Sequence, residues 1–301
     1  MRLVVVGLGI QGRKRWTVAG ADAIATVDPV VDTAHYRRIE DVPLDAFDAA
    51  AVCTPDGPKI EVITYLLRNG KHVLVEKPLF ASEETLRRLI SLASDSGATC
   101  YTAYNHRFEP HIMRVRELLQ QNAIGPVYMA RFFYGNGTAL DVKRSVWRDQ
   151  GSGVLPDLGS HLLDMSLFLF GPEAGTFRPW TFNRFENQAF DHYACGSDGK
   201  PLIEFEMTLL SWRNTFTADI WGELGSIHIH GLCKWGPSVL TVRKRVFPSG
   251  RPGETTNTLE SPDPTWASEY AHFKSLCVSR QSNLENDLWI NSALNQLEKA
   301  S

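Results

Sequence analysis

The sequence predicts an α/β protein of two domains: a Rossmann-type, doubly wound parallel sheet over residues 1–123, then an α+β domain with an open, mainly antiparallel sheet over residues 124–301. Three observations predict it. The chain opens with a short apolar, β-branched run, Leu3 to Val6, that breaks into Gly7-Leu8-Gly9-Ile10-Gln11-Gly12. Strand and helix patterns then alternate as far as Tyr104. Beyond Ile124 the texture changes to period-two alternation, with Ile203, Phe205, Met207 and Leu209 on one face and Glu204, Glu206 and Thr208 on the other.

The first strand reads as one buried on both faces, as parallel strands are. The glycines that follow have separate tasks: Gly7 for the tight turn, Gly9 for close approach of a pyrophosphate, Gly12 for packing helix on strand. Phosphates would rest on the N–H groups of Ile10, Gln11 and Gly12 at the helix start. A second strand, Ala23 to Val27, ends at Asp28, whose carboxylate can accept from ribose hydroxyls. This points to a dinucleotide, with NAD favoured. Arg37 and Arg38 are near enough in sequence to meet a 2′-phosphate, which leaves NADP open.

The third strand runs from Ala49 to Thr54-Pro55, and Ile60, Ile63, Leu66 and Leu67 set a helix closed by Gly70. His72 to Glu76 is the fourth strand, Ser82 caps a helix that turns Leu86, Leu89, Ile90 and Ala93 inward, and Thr99 to Tyr104 is the fifth. Parallel sheets bind ligands at the carboxyl ends of their strands, here Gly7, Asp28, Thr54, Glu76-Lys77 and Tyr104-Asn105.

Composition excludes several classes. With 43% hydrophobic and 22% charged residues over 301 positions, the chain is globular. A net charge of −3 and a pI near 6.3 give no electrostatic case for nucleic acid or an anionic membrane. No signal peptide and no spanning helix are expected. Five scattered cysteines without a C-x-x-C suit reduced thiols in a cytoplasm and imply no metal.

In the second half, Asp157-Leu158-Gly159-Ser160-His161-Leu162-Leu163-Asp164 opens an apolar helix that stops at Gly171-Pro172. On an α-helix Asp157, His161 and Asp164 stand at i, i+4 and i+7 and share a face. That places an imidazole between carboxylates, a proton-transfer arrangement or, equally, a solvated polar stripe. Lys77, at the mouth of the parallel sheet, could stabilise charge on a reacting oxygen or be a surface lysine.

Asp198-Gly199 marks a hairpin turn, and Phe216, Ala218 and Ile220 alternate. Pro248 to Pro264 reads as a loop, and two helices, near Trp266–Val278 and Leu284–Leu297, end the chain. Trp180, Trp212, Trp221 and Trp235 fit either an oligomer interface on one sheet face or an aromatic core. His228 and His230, i and i+2 without nearby acidic or Cys partners in sequence, are read as solvated.

Taken together, Gly7 to Gly12, Thr54-Pro55, Glu76-Lys77-Pro78, Tyr104-Asn105-His106-Arg107-Phe108, the Asp157–Asp164 string and Gly222-Glu223-Leu224-Gly225-Ser226-Ile227 resemble the Gfo/Idh/MocA superfamily (glucose–fructose oxidoreductase, inositol dehydrogenase). They occur in the family's order and span nearly the whole chain. The resemblance implies an NAD(P)-dependent oxidoreductase of sugars, sugar nucleotides or cyclitols, with catalysis between the two domains. It matches Lys77, Asp157 and His161 to the catalytic triad and makes Lys77-Pro78 cis. Cofactor contacts would come from Gly7, Gly9, Ile10, Gln11, Gly12, Asp28, Thr54, Pro55, Glu76 and Lys77, and substrate contacts from Tyr104, Asn105, Arg107, Asp157 and His161. Arg107 is read as pairing with a carboxylate or lining the cleft.

Two departures stand out. Asp56 and Lys59 occupy places where the family often has Asn and His. The segment from Asp28 to Ala49 is short, so the helix over the adenosine side should be reduced to Val30–His35 or missing.

The expected reaction is hydride transfer between nicotinamide and a secondary alcohol or ketone. The alternatives are epimerisation or elimination through transient oxidation, and a non-catalytic dinucleotide sensor. Loops Tyr134–Trp147 and Asn183–His192 would set specificity. A homo-oligomer, dimer or tetramer, would form through the C-terminal sheet.

Overall fold

The structure is a computed structural model that describes residues 1–145, 148–173 and 175–301. It contains two compact units, one made of residues 1–105 and 266–291, the other of 106–265 and 292–301.

The first unit is built on five parallel strands, β1 (Leu3–Val6), β2 (Ala23–Val27), β3 (Ala49–Val52), β4 (His72–Glu76) and β5 (Cys100–Ala103), in the order β2-β1-β3-β4-β5. Val4, Val5 and Val6 are all buried, as expected of a strand covered on both faces. Helices α1 (Ile10–Ala19), α2 (Asp56–Arg68) and α3 (Glu83–Ser96) provide the crossovers. Ser82 caps α3 by accepting from the Thr85 N–H at 3.2 Å, and Leu86, Leu89 and Ala93 go into the core. Each such buried leucine contributes roughly 1.5–3 kcal/mol.

Between β2 and β3 there is no α-helix. The segment carries two single 3₁₀ turns, Ile39–Asp41 and Leu44–Ala46, and a one-residue bridge between Val27 and Tyr36. Of the two expectations for the adenosine side, the missing helix is the one observed.

Two late helices are α7 (Thr265–Ser279) and α8 (Leu284–Lys299). Tyr270 and Phe273 of α7 pack with Leu3, Val5 and Tyr101, and Leu284 of α8 packs with Val73 and Val75. The units therefore do not follow the linear division at 123/124, because apolar residues remote in sequence complete the first core. Helix α4 (Pro110–Gln120) belongs to the second unit, where His111 bonds Ser238 at 2.7 Å and Asn257 at 3.0 Å.

The second unit contains eight strands, β6 (Val127–Gly135), β7 (Phe177–Asn183), β8 (His192–Ser197), β9 (Leu202–Thr208), β10 (Thr215–Gly222), β11 (Gly225–His230), β12 (Ser238–Lys244) and β13 (Gly253–Leu259). Their order is β13-β12-β11-β10-β6-β9-β8-β7, antiparallel except where β6 meets β9. Ile203, Phe205, Met207, Phe216, Ala218 and Ile220 are buried as the alternation requires.

Strand β13 corrects the reading of Pro248 to Pro264 as loop. Gly253-Glu254-Thr255-Thr256-Asn257-Thr258-Leu259 pairs with β12 at the sheet edge, and six of its seven residues are exposed, so it shows no apolar alternation. A short helix α5 (Ala139–Lys143) and a longer one, α6 (Ser160–Phe170), complete the unit. Among the described residues, no helix is long and apolar enough to cross a membrane.

Candidate functional site

The glycine turn between β1 and α1 has the shape of a phosphate cradle. Gly7 takes φ +90°, in the region that favours glycine, and a Cβ on Gly12 would fall 1.7 Å from the Gly7 carbonyl oxygen, so helix and turn touch backbone to backbone. Gly9 differs: nothing lies within 4 Å of where its Cβ would be. It is also the N-cap of α1, and no side chain caps that end. An N-terminus with uncapped N–H groups and open space before it suits a pyrophosphate.

Gly9→Ala should therefore leave stability within about 0.5 kcal/mol while weakening dinucleotide affinity. Gly12→Ala should lower the melting temperature and abolish binding. Calorimetry with and without NAD checks both, and equal behaviour of the two variants would reject the cradle.

Asp28 stands just past β2 and braces this turn. Its Oδ2 accepts from the Leu8 N–H at 2.8 Å, and Oδ1 accepts from Val30 and Val31, both at 2.9 Å. Burial opposes its charge, but the N–H groups of Leu8, Val31 and Val30 outweigh it and hold the carboxyl below its ordinary range. A carboxylate offers about four acceptor positions, so capacity remains for a ribose hydroxyl. Arg37 pairs with Asp32 at 3.0 Å on an exposed surface, while Arg38 pairs with Glu40. At the end of β3, the Thr54 hydroxyl oxygen is buried and has no hydrogen-bond partner among the described residues. These features fit a bound dinucleotide.

Glu76 carries an ion pair. Its carboxylate receives Arg15 Nε at 2.6 Å, and Glu269 of α7 receives the NH2 of the same guanidinium at 2.7 Å. Arg15 is 2% exposed and lies 4.3 Å over the ring of Trp266. Its place at the end of β4 also keeps Glu76 a candidate cofactor contact. The structure pairs its carboxylate inside the unit, an arrangement invisible in sequence because Arg15 lies 61 residues from Glu76 and 254 from Glu269. Lys77 follows β4 at the carboxyl edge of the sheet, half-buried, and the Lys77-Pro78 bond is cis, as the resemblance implied.

The second unit assembles four aromatic rings. A 3₁₀ turn, Asn105–Phe108, presents His106, and the first turn of α6 presents His161. The two imidazoles stack with centroids 4.0 Å apart and planes inclined by 16°. Tyr134 from β6 lies 5.3 Å from His106 and 6.0 Å from His161, and Trp235 stacks on Tyr134 at 5.6 Å. Two charges about 4 Å apart repel by about 4 kcal/mol at an effective dielectric constant near 20, so the stack opposes protonation of both rings at once. Burial, reinforced by the charge of Asp157, pushes the Tyr134 hydroxyl well above its ordinary value and keeps it protonated.

The polar stripe around α6 has two parts. Residues Leu155–Gly159 form a π turn rather than part of the α-helix, and the charge of Asp157 reaches the Tyr134 hydroxyl beside His161. Asp157 has a side chain 38% exposed, with the Arg148 guanidinium 3.5 Å away. Asp164, wholly buried, forms a bidentate pair with Arg107 at 2.6 and 2.7 Å. The carboxylate read as a neighbour of His161 thus serves Arg107, which pairs as expected. Tyr104 and Asn105 are both buried, Tyr104 as fully as any core residue.

Sequence reasoning missed His106, Tyr134 and Trp235 as neighbours of His161. His106 lay within a quoted motif, but nothing in its spacing tied it to residue 161. It also missed the acidic residues that fix the 183–192 loop. Asp191 accepts from the N–H groups of Phe185, Glu186 and Asn187, and Asp149 accepts from Gln188 and Ala189. Trp147, the end of the other expected specificity loop, lies outside the described residues.

The four tryptophans share no single environment: Trp180 and Trp212 are exposed, Trp235 packs on Tyr134, and Trp221 meets His228 edge-on. His228 does have an acidic partner, Asp219 on the neighbouring strand at 2.5 Å. Among the described residues no group of three or more His, Cys, Asp or Glu side chains could hold a metal.

Comparison with known proteins agrees with this architecture. Residues 1–104 match the oxidoreductase family with an NAD-binding Rossmann fold, and residues 112–228 match the GFO/IDH/MocA C-terminal domain. Inositol 2-dehydrogenase of Rhizobium meliloti is 31% identical over 162 residues, 52% of this chain and 48% of that protein. Levoglucosan dehydrogenase of Pseudarthrobacter phenanthrenivorans is 28% identical over 144 residues, 46% of this chain and 36% of that one. The chain thus spans about half the length of the curated relatives it matches, or less.

A levoglucosan dehydrogenase structure in complex with NADH superposes with a TM-score of 0.85 at 18% identity, covering 100% of this chain and 98% of that chain. UDP-N-acetylglucosamine 3-dehydrogenase of Acidithiobacillus ferrooxidans gives 0.81 at 18%, covering 100% and 97%. At that identity these structures speak for the fold. With both of its family models matched in order, the chain belongs to the Gfo/Idh/MocA family of oxidoreductases.

Proposed function

We propose that the chain is an NAD(P)-dependent oxidoreductase acting on a secondary alcohol or ketone of a sugar, sugar nucleotide or cyclitol. The observation that carries the reading is the uncapped start of α1 behind Gly7–Gly12, with open space before Gly9. When bound, the nicotinamide supplies the hydride acceptor or donor. Gly9, Ile10, Gln11 and Gly12 hold the pyrophosphate, while Asp28 and Thr54 face the rest of the dinucleotide. His161 exchanges the proton of the reacting oxygen, Lys77 holds that oxygen, and Asp157 orients substrate or imidazole. Charge repulsion between His106 and His161 in their stack disfavours two imidazolium ions at once, which keeps one neutral ring available as a base.

The test is a thermal-shift series with NAD and NADP, followed by NADH or NADPH formation on myo-inositol, levoglucosan, glucose 6-phosphate and UDP-N-acetylglucosamine. The preferred dinucleotide at a hundred times its Kd should stabilise the protein by about 2.7 kcal/mol. Reduced cofactor should accumulate with at least one substrate. Product without accumulating NADH would mean internally recycled cofactor, as in epimerisation or elimination.

The missing helix beside β2 favours a second reading, a non-catalytic dinucleotide sensor. Tight NAD binding with no turnover on the whole panel would support it. A cytoplasmic setting and a homo-oligomer through the eight-stranded sheet belong to the leading reading. Light scattering that returns a monomer would remove the oligomer.

A further inference from the structure

We propose that Lys59 is a positioning residue for Lys77, through a clamp on the backbone to either side of it. Lys59 is on the first turn of α2, yet it is only 4% exposed, unusual for a lysine. Its ammonium donates to the Pro78 carbonyl at 3.1 Å, to the Glu76 carbonyl at 3.4 Å and to Asp56 Oδ1 at 2.6 Å. Three donors thus meet three acceptors, the full capacity of the group. Two of those acceptors are carbonyls of the residues on either side of Lys77, so the peptide plane that enters its Cα and the one just beyond Pro78 are tied to one point on α2.

The same segment is held at two further places. Arg15 grips the Glu76 carboxylate at 2.6 Å, and Asn291 Nδ2 donates to the Leu79 carbonyl at 2.9 Å. Residues 76, 78 and 79 are therefore each fixed by a separate side chain, and Lys77 is carried on the constrained stretch.

Stability alone is a poor reason for such a lysine. An apolar side chain of similar length would fill the same space without desolvating a charge, and such replacements of buried ions are often neutral or favourable. Asp56, with a side chain 55% exposed, contributes a screened interaction. What the ammonium supplies and a methionine could not is a directional hold on two carbonyls.

The inference rests on the reading of Lys77 as a substrate contact, and the experiment separates the two. Lys59→Met, Lys59→Gln and Asp56→Asn are prepared in the full chain. Amide exchange over residues 72–82 is followed by mass spectrometry, alongside melting temperature and steady-state kinetics with NAD and the substrate that the wild type turns over. In K59M the segment should exchange about tenfold faster while distant segments and melting stay near wild type. Turnover should fall by about 10²-fold, as expected for a reacting group misplaced by about 1 Å, with KM for NAD changed less than about threefold. K59Q, which keeps two donors on a shorter stem, should fall between, and D56N should stay within about threefold of the wild type because both carbonyl contacts remain.

Wild-type exchange in K59M overturns the clamp. Wild-type kcat with a loosened segment overturns its service to Lys77. A loss in D56N equal to that in K59M assigns the effect to the ion pair and also overturns it, as does a uniform loss of protection with NAD affinity and kcat falling together. If the wild type turns over nothing, the proposed function fails by itself, and exchange alone decides whether Lys59 fixes the segment.

Discussion

His161→Ala should lower turnover by roughly 10²–10⁴-fold while NAD or NADP still stabilises the protein against heat as it does the wild type. The separation follows from where the groups reside. The proposed dinucleotide cradle, Gly7 to Gly12 with Asp28 and Thr54, belongs to the first unit, and His161 is on α6 in the second. Removal of the imidazole takes away the group proposed to exchange the proton, and it uncovers one face of His106, which stacks on it at 4.0 Å. Coupled proton and hydride transfer needs that proton to move in the same step, so the loss should appear in kcat and kcat/KM alike. Single-turnover NADH formation checks the chemical step directly. Turnover equal to wild type would take His161 out of the mechanism and direct attention to Tyr134, whose hydroxyl is kept protonated.

Arg15→Met should destabilise the first unit by about 3–5 kcal/mol, the range found when one partner of a buried ionic network is removed. Arg15 pairs with the Glu76 carboxylate at 2.6 Å and with Glu269, which is wholly buried, at 2.7 Å. Without the guanidinium, two carboxylates are left buried close together. Both must then protonate, find water or force the structure open. The magnitude comes from that residue of unpaired charge more than from the strength of the original contacts. The triple variant R15M/E76M/E269L, which removes all three charges, should recover most of the loss. Calorimetric unfolding of the single and triple variants distinguishes the cases, and equal melting of R15M and wild type would mean the triad contributes little.

The sequence was most informative where structure is local. The β1 run, the glycine turn, the Ser82 cap on α3 and the alternation along β9 and β10 each depend on residues a few positions apart, and each is present as read. It failed where neighbours are distant or where a strand has no buried face. Strand β13 is exposed on both sides, so nothing in Gly253–Leu259 alternates. Helix α7 joins the first core through Tyr270 and Phe273, about 170 residues after β5 closes the sheet's chain order, and periodicity carries no record of such a partner. The π turn at Leu155–Gly159 shows the same limit on a small scale. Spacing assumes one helical pitch, and it gave no sign of the π turn in which Asp157 lies.

By itself, the sequence determined the order of elements, the parallel sheet with its phosphate-binding turn, and the presence of Lys77, Asp157 and His161 in motifs of one family. Tertiary structure alone decided what each polar group does. It gave Glu76 to Arg15, Asp164 to Arg107, His106 to His161, and Lys59 to the carbonyls around Lys77. The physical reason is that secondary structure follows from short-range sterics and apolar periodicity, which adjacent residues encode. The partner of a buried charge or ring is set by which surfaces the packed core brings within about 3–4 Å, and that is a property of the whole fold.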